Sequence, residues 1–247
     1  MLKVAITYPL TKQEVKGLLD FLSHHLSYVP LKTPTVIFAQ NAKIYAKLYE
    51  GYESRSKEVS QEKIIEINSD TPAFYDHLNE LVVFQGFSYR EGIEIDRFII
   101  PMATIIHELI HFFQYATGPY GSYRVLYEGA NDILSCLLTD DPEIDYKEEV
   151  VHAMNLAMAL NEQNLSAAIQ WMKTLTVHSD KNTFVHRSIR QCPALLKYNP
   201  QKLMKLLDED RIDKIENEET RTLLTRHSLS KIIKMLRKQY KVINGII

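Results

Sequence analysis

Cysteine is nearly missing from this chain: Cys136 and Cys192 are the only two in 247 residues. Two thiols cannot build a disulfide framework, and both read as reduced, structural side chains, Cys136 within an apolar segment. No cysteine cluster competes for a metal ion. Charge of one sign is missing too. Lys and Arg number 29 against 31 Asp and Glu, a net charge of -2, which leaves no global electrostatic footprint for nucleic acid. No run approaches the roughly 18 apolar residues of a membrane span. The N-terminal MLKVAITYPL has a single Lys ahead of a short apolar run, too little for a secretory signal. These absences point to a soluble, cytoplasmic protein. Repeats and low-complexity segments are also lacking. A hydrophobic content of 45% and a charged content of 24% are ordinary for a globular chain, here long enough for one large domain or two small ones.

What is present is concentrated between Ile99 and Asp132. His107-Glu108-Leu109-Ile110-His111 is an H-E-x-x-H pattern, the signature of a zinc site whose Glu serves as general base. On a helix, residues i and i+4 lie one turn apart on one face, so both imidazoles reach one ion. Glu108 points to the side, where it reaches a water at the open position that a catalytic zinc keeps. Random placement of 9 His and 19 Glu in this chain would give the pattern roughly 0.025 times.

The flanks sharpen the reading. Ile105, Ile106, Leu109, Ile110, Phe112 and Phe113 surround a narrow polar stripe of Thr104, His107, Glu108, His111 and Gln114. A mostly apolar helix with one such stripe is buried, the stripe facing a cavity or cleft. An ionised Glu and two imidazoles there need compensation, which a dication supplies. Pro101 fits the first helical turn and Gly118-Pro119 stops it, so the helix should span about 101 to 117.

A catalytic zinc of this kind needs a third protein ligand. Metzincins supply it with a further Gly and His, but positions 114 and 117 here are Gln and Thr. The better candidate is Glu128, 17 residues after His111 in YEGANDILSCLL, a segment of helical periodicity. Asp132 follows by four on the same face, so one carboxylate can bind metal while the other accepts the N–H of a ligand histidine. Gly129 and Ala130 are small, which should let this helix approach the motif helix closely.

These residues resemble the gluzincin zinc metallopeptidases, in which an HExxH helix is followed by a helix carrying ExxxD. The resemblance covers about residues 98 to 138. It implies His107, His111 and Glu128 as zinc ligands, Glu108 as base, and Asp132 bonded to the first histidine. With 16 residues between His111 and Glu128, the spacing looks more like the compact minigluzincin members than like thermolysin.

Elsewhere the chain reads as strands at 3 to 8, 35 to 39, 63 to 68 (KIIEIN) and 81 to 84 (LVVF), with helices at 12 to 27 behind a Thr11 cap and near 41 to 50. The resemblance implies a sheet edge that binds substrate backbone as an added strand, with KIIEIN and LVVF as candidates. His24 and His25 are adjacent, about 100° apart on a helix, and form no ligand pair. Past Asp140-Asp141-Pro142 helical patterns dominate, at about 144 to 161, 164 to 175, 183 to 197, 200 to 208 and 218 to 240. The last carries Lys231, Lys234, Lys238 and Lys241 on a basic face, with Arg221, Arg226 and Arg237 as further basic residues of the segment.

The expected architecture is α+β: a zincin-like catalytic part over 1–141, with a small mixed sheet and the HExxH helix, then an all-helical part over 142–247. The expected activity is zinc-dependent peptide-bond hydrolysis, probing protein or peptide substrates, with Tyr120, Tyr123, His178 and His186 as candidate oxyanion donors. The alternatives are a zinc-binding protein that does not cleave, and a protease directed to nucleic-acid-bound targets by the basic helix. The net charge speaks against nucleic acid as a general partner, and oligomeric state leaves no trace in the sequence.

Overall fold

The computed structural model describes residues 5–7, 10–53, 73–90, 93–96, 99–118, 123–139, 141 and 144–243. Among them are ten α-helices and seven short strands, an α+β architecture. Two compact units divide the chain, Lys3–Phe112 and Phe113–Ile247. The boundary falls inside a helix, ahead of the composition change at Asp140 to Pro142.

The first unit opens with β1 (Ala5–Thr7), which pairs antiparallel with β7 (Ile99–Pro101). Helix α1 (Lys12–Leu26) starts at a complete capping box: Thr11 Oγ1 accepts from the Glu14 N–H, and the Glu14 carboxylate accepts from the Thr11 N–H. Its Leu18, Leu19, Leu22 and Leu26 are buried at helical spacing. Strand β2 (Thr35–Ala39) and helix α2 (Ala42–Glu53) follow, then β3 (Ala73–Asp76) and β4 (Leu81–Gln85). The sheet order is β2-β4-β3, with β4 parallel to β2 and antiparallel to β3. Strands β5 (Phe87–Arg90) and β6 (Ile93–Asp96) form a separate antiparallel pair. Tyr45 of α2 packs edge-on against Phe74 and Phe87, closing a core with Ala39, Ala42 and Val83.

The position of β4 corrects one expectation. LVVF is a central strand whose backbone groups are engaged by β2 on one side and β3 on the other, so it offers no edge to a substrate strand. Val82, Val83 and Phe84 are buried consecutively, so both faces of the strand are covered as well, which is why it is apolar without alternation. KIIEIN lies outside the described residues. Strands β3, β5, β6 and β7 were not signalled in the sequence as strands at all.

Helix α3 (Met102–Ala116) carries the H-E-x-x-H pattern. It is one unbroken helix that begins in the first unit and ends in the second. The second unit continues with α4 (Arg124–Thr139), α5 (Lys147–Leu160), α6 (Leu165–Thr176), α7 (Lys181–Gln191), α8 (Pro200–Asp208), a 3-10 turn (Ile212–Lys214), α9 (Glu218–Leu224) and α10 (Leu229–Ile243). Asn164, Asp180, Asn199 and Asn217 cap α6, α7, α8 and α9 by accepting from backbone N–H groups three residues on.

Helix α4 belongs with α5. A Cβ on Gly129 would lie 2.3 Å from the Glu149 carbonyl oxygen and 2.9 Å from the Ala153 Cβ, so the two helices meet backbone to backbone there. The close approach that Gly129 permits is therefore to α5, where its small size predicts one to the motif helix.

Two C-terminal helices end earlier than their periodicity predicts. Helix α7 stops at Cys192, whose backbone is extended, because Pro193 disfavours helical geometry in the residue before it. The pattern at 218 to 240 is two helices, broken at 225 to 228, where Asn155 of α5 takes both backbone groups of the buried His227. Among the described residues no helix is long and apolar enough to cross a membrane.

Candidate metal centre

Helix α3 is buried from Ile105 to Gln114: its apolar residues Ile105, Ile106, Leu109, Ile110 and Phe113 are at most 1% exposed. Its polar stripe is buried as well, with His107, Glu108 and His111 at 7%, 8% and 7% and Gln114 at 1%. Such a stripe is expensive to bury unless it meets partners of its own kind.

The helical repeat sets the first part of the arrangement. His107 and His111 turn their Nε2 atoms toward each other at 3.1 Å, their rings close to perpendicular at 71°. Two Zn–N bonds of about 2.05 Å at a tetrahedral angle would hold their nitrogens about 3.3 Å apart, so the pair is nearly at the spacing a metal requires. Glu128, half-buried on α4, brings a carboxylate that could be the third donor. The ligand atoms of His107, His111 and Glu128 all lie within 4.8 Å of one another. Two imidazoles and a carboxylate are a donor set that suits zinc.

Glu108 stands beside His107 on the same helix. Its charge is felt by Tyr45 of α2, whose phenol is pushed up first by its own burial and then by the Glu108 carboxylate. A phenol with a raised pKa stays protonated and so remains a hydrogen-bond donor at the edge of this acidic group. Tyr45 carries no sequence signal for this role, because α2 and α3 are brought together only by the fold.

Asp132 is buried on α4, and its Oδ2 accepts the backbone N–H of Tyr146 at 2.9 Å at the start of α5. One carboxylate oxygen is thus tied to the α4–α5 connection, which fixes the side chain's orientation.

Of the four candidate oxyanion donors, two come together. The Tyr123 hydroxyl and His186 Nε2 are hydrogen-bonded. Burial raises the Tyr123 pKa, with Asp208 adding to it, and burial lowers that of His186, aided by Arg190 and opposed by Asp180. The two shifts favour the neutral phenol and the neutral imidazole, so Tyr123 keeps its proton. His178 is held differently, its Nδ1 accepting the Asp180 N–H at 3.1 Å. Tyr120 lies outside the described residues.

The polar stripe continues beyond the histidines. Gln114 donates from Nε2 to Asn131 Oδ1 at 2.8 Å, tying the last turn of α3 to α4. Lys181, at the start of α7, is 1% exposed and donates to the Gln114 carbonyl at 2.7 Å. Asn131 and Lys181 escaped the sequence reading. Only Gln114 had a signal, as a polar residue on an otherwise apolar helix.

Comparison of the chain with protein-family models, with curated proteins and with solved structures returns no match.

Proposed function

We propose that this chain is a zinc-dependent peptidase of the gluzincin type. The observation that carries the reading is the convergence of His107, His111 and Glu128, three buried or half-buried donors from two helices. His107, His111 and Glu128 hold the ion in this reading, and Asp132 orients a ligand histidine. When bound, such an ion acts as a Lewis acid toward water and toward the substrate carbonyl. Glu108 takes the proton of the attacking water and returns it to the leaving amine. Tyr123, hydrogen-bonded to His186, is one of the four candidate donors for the developing oxyanion, and donates there when His186 carries its proton on Nε2.

The test is metal content by elemental analysis on the wild type and His111→Ala, with hydrolysis of unfolded protein substrates assayed beside it. About one zinc per chain, lost in the variant, is expected. No metal in either protein after incubation with zinc sinks the proposal. Zinc without turnover replaces it with the non-cleaving alternative.

One observation favours a second reading, in which the peptidase is directed to nucleic-acid-bound targets. Lys231, Lys234, Arg237, Lys238 and Lys241 of α10 are exposed, and none takes part in an ion pair among the described residues. The apolar face of the helix, Ile232, Leu236 and Tyr240, is buried in its own unit. Salt-sensitive binding of a short DNA duplex, abolished by Lys234→Glu with Lys238→Glu, is expected in that case. Binding that survives charge reversal removes it.

A further inference from the structure

Gln114 follows His111 by three residues, and Asn131 follows Glu128 by three. Each therefore lies about one helical turn beyond a member of the metal group, on the same side of its helix. The bond between their side chains joins α3 to α4 next to the place where the ligands must converge.

The pair is held from outside as well. The last carbonyls of a helix have no partner within it. Here Lys181 Nζ donates to the Gln114 carbonyl at 2.7 Å, to the His178 carbonyl at 2.9 Å and to Thr117 Oγ1 at 3.1 Å. A cation at a helix C-terminus is favourable. Gly118 permits the same approach: a Cβ there would lie 2.3 Å from the Ser179 carbonyl oxygen. The end of α3 is thus fixed through both the main chain and the side chain of Gln114.

Stability alone does not account for this arrangement. Asn131 is fully buried, and its Nδ2 has no hydrogen bond among the described residues. A buried amide nitrogen left so is costly, and apolar residues of similar size at both 114 and 131 would avoid that cost. Buried polar pairs fix one arrangement where apolar contacts tolerate several.

We propose that Gln114, Asn131 and Lys181 are positioning residues for the metal group, fixing α3 on α4 so that His107, His111 and Glu128 meet at one point. This rests on the metal-centre reading above. Groups that orient ligands without touching the metal are worth about 10- to 100-fold in affinity.

The experiment measures zinc affinity of the full chain by chelator competition, and urea unfolding of the zinc-free protein, for the wild type and four variants. Gln114→Met with Asn131→Leu, which removes both partners and strands neither, is expected to weaken zinc binding about tenfold or more while leaving zinc-free stability unchanged or raised. Gln114→Met alone and Lys181→Met should weaken it too. The exchanged pair, Gln114→Asn with Asn131→Gln, can rebuild the bond at the same total side-chain length and should recover most of the affinity. Unchanged affinity in the doubly apolar variant overturns the inference. So does a doubly apolar zinc-free chain that has lost stability or cooperative unfolding, because the pair is then structural. A wild type that binds no zinc overturns the metal centre itself, and this inference with it.

Discussion

Asn155 of α5 holds His227 by both of its backbone groups: Nδ2 donates to the His227 carbonyl and Oδ1 accepts the His227 N–H, each at 2.9 Å. The side chain reproduces the pairing of a neighbouring strand at a single residue. It ends α9 and sets the point from which α10 begins.

Replacing Asn155 by Ala leaves two buried backbone groups unpaired, at about 1–3 kcal/mol each. A loss of about 2–4 kcal/mol in urea unfolding is expected. Asn155→Asp keeps the acceptor and loses the donor, so it should fall between the wild type and Ala. Equal stability of all three proteins would mean the clamp contributes nothing.

Gly129 gives a second stability prediction. Its Cβ would overlap the Glu149 carbonyl oxygen, and that obstacle is backbone, which cannot swing aside. Gly129→Ala should cost about 1–3 kcal/mol by overpacking, despite the higher helix propensity of alanine. A thermal melt at or above the wild-type midpoint would show that α4 and α5 can separate without penalty.

Metal removal should be visible in stability as well as in activity. A ligand bound only by the native state stabilises by about 2.7 kcal/mol when its free concentration is 100 times Kd. Zinc should therefore raise the melting temperature of the wild type and not that of His111→Ala. Glu108→Gln should keep the zinc-dependent shift and lose hydrolysis. Full activity in Glu108→Gln would remove Glu108 as the base.

The pH dependence of stability tests Lys181. Burial pushes its ammonium down to about 8 from the ordinary value of 10.5. Below pH 8 both native and unfolded chains hold the proton, and the fold bears the full cost of the buried charge. Between about 8 and 10.5 the unfolded chain binds one proton more, so stability rises with pH at up to about 1.4 kcal/mol per unit. The difference in unfolding free energy between the wild type and Lys181→Met should climb through this window. A flat difference would mean that the three acceptors around Nζ keep the ammonium at its ordinary pKa.

Features that depend on near neighbours along the chain are legible in the amino-acid order. The i, i+4 spacing of His107 and His111 puts two imidazoles on one helix face whatever surrounds it. The Thr11–Glu14 capping box starts α1 where the sequence places it, and Pro200 behind Asn199 starts α8. Burial of the middle of α3 was legible too, since six apolar residues flank its polar stripe.

The remaining relationships come from the folded chain. That Glu128 reaches the two histidines, that β4 is central and not an edge, that α4 packs on α5, that Asn155 breaks the last helical pattern and that Lys181 caps α3 all join residues far apart in sequence. Local periodicity reports which face of an element is apolar. It carries no information about which other element covers that face, because that choice depends on how well whole surfaces fit once the chain has closed its long loops.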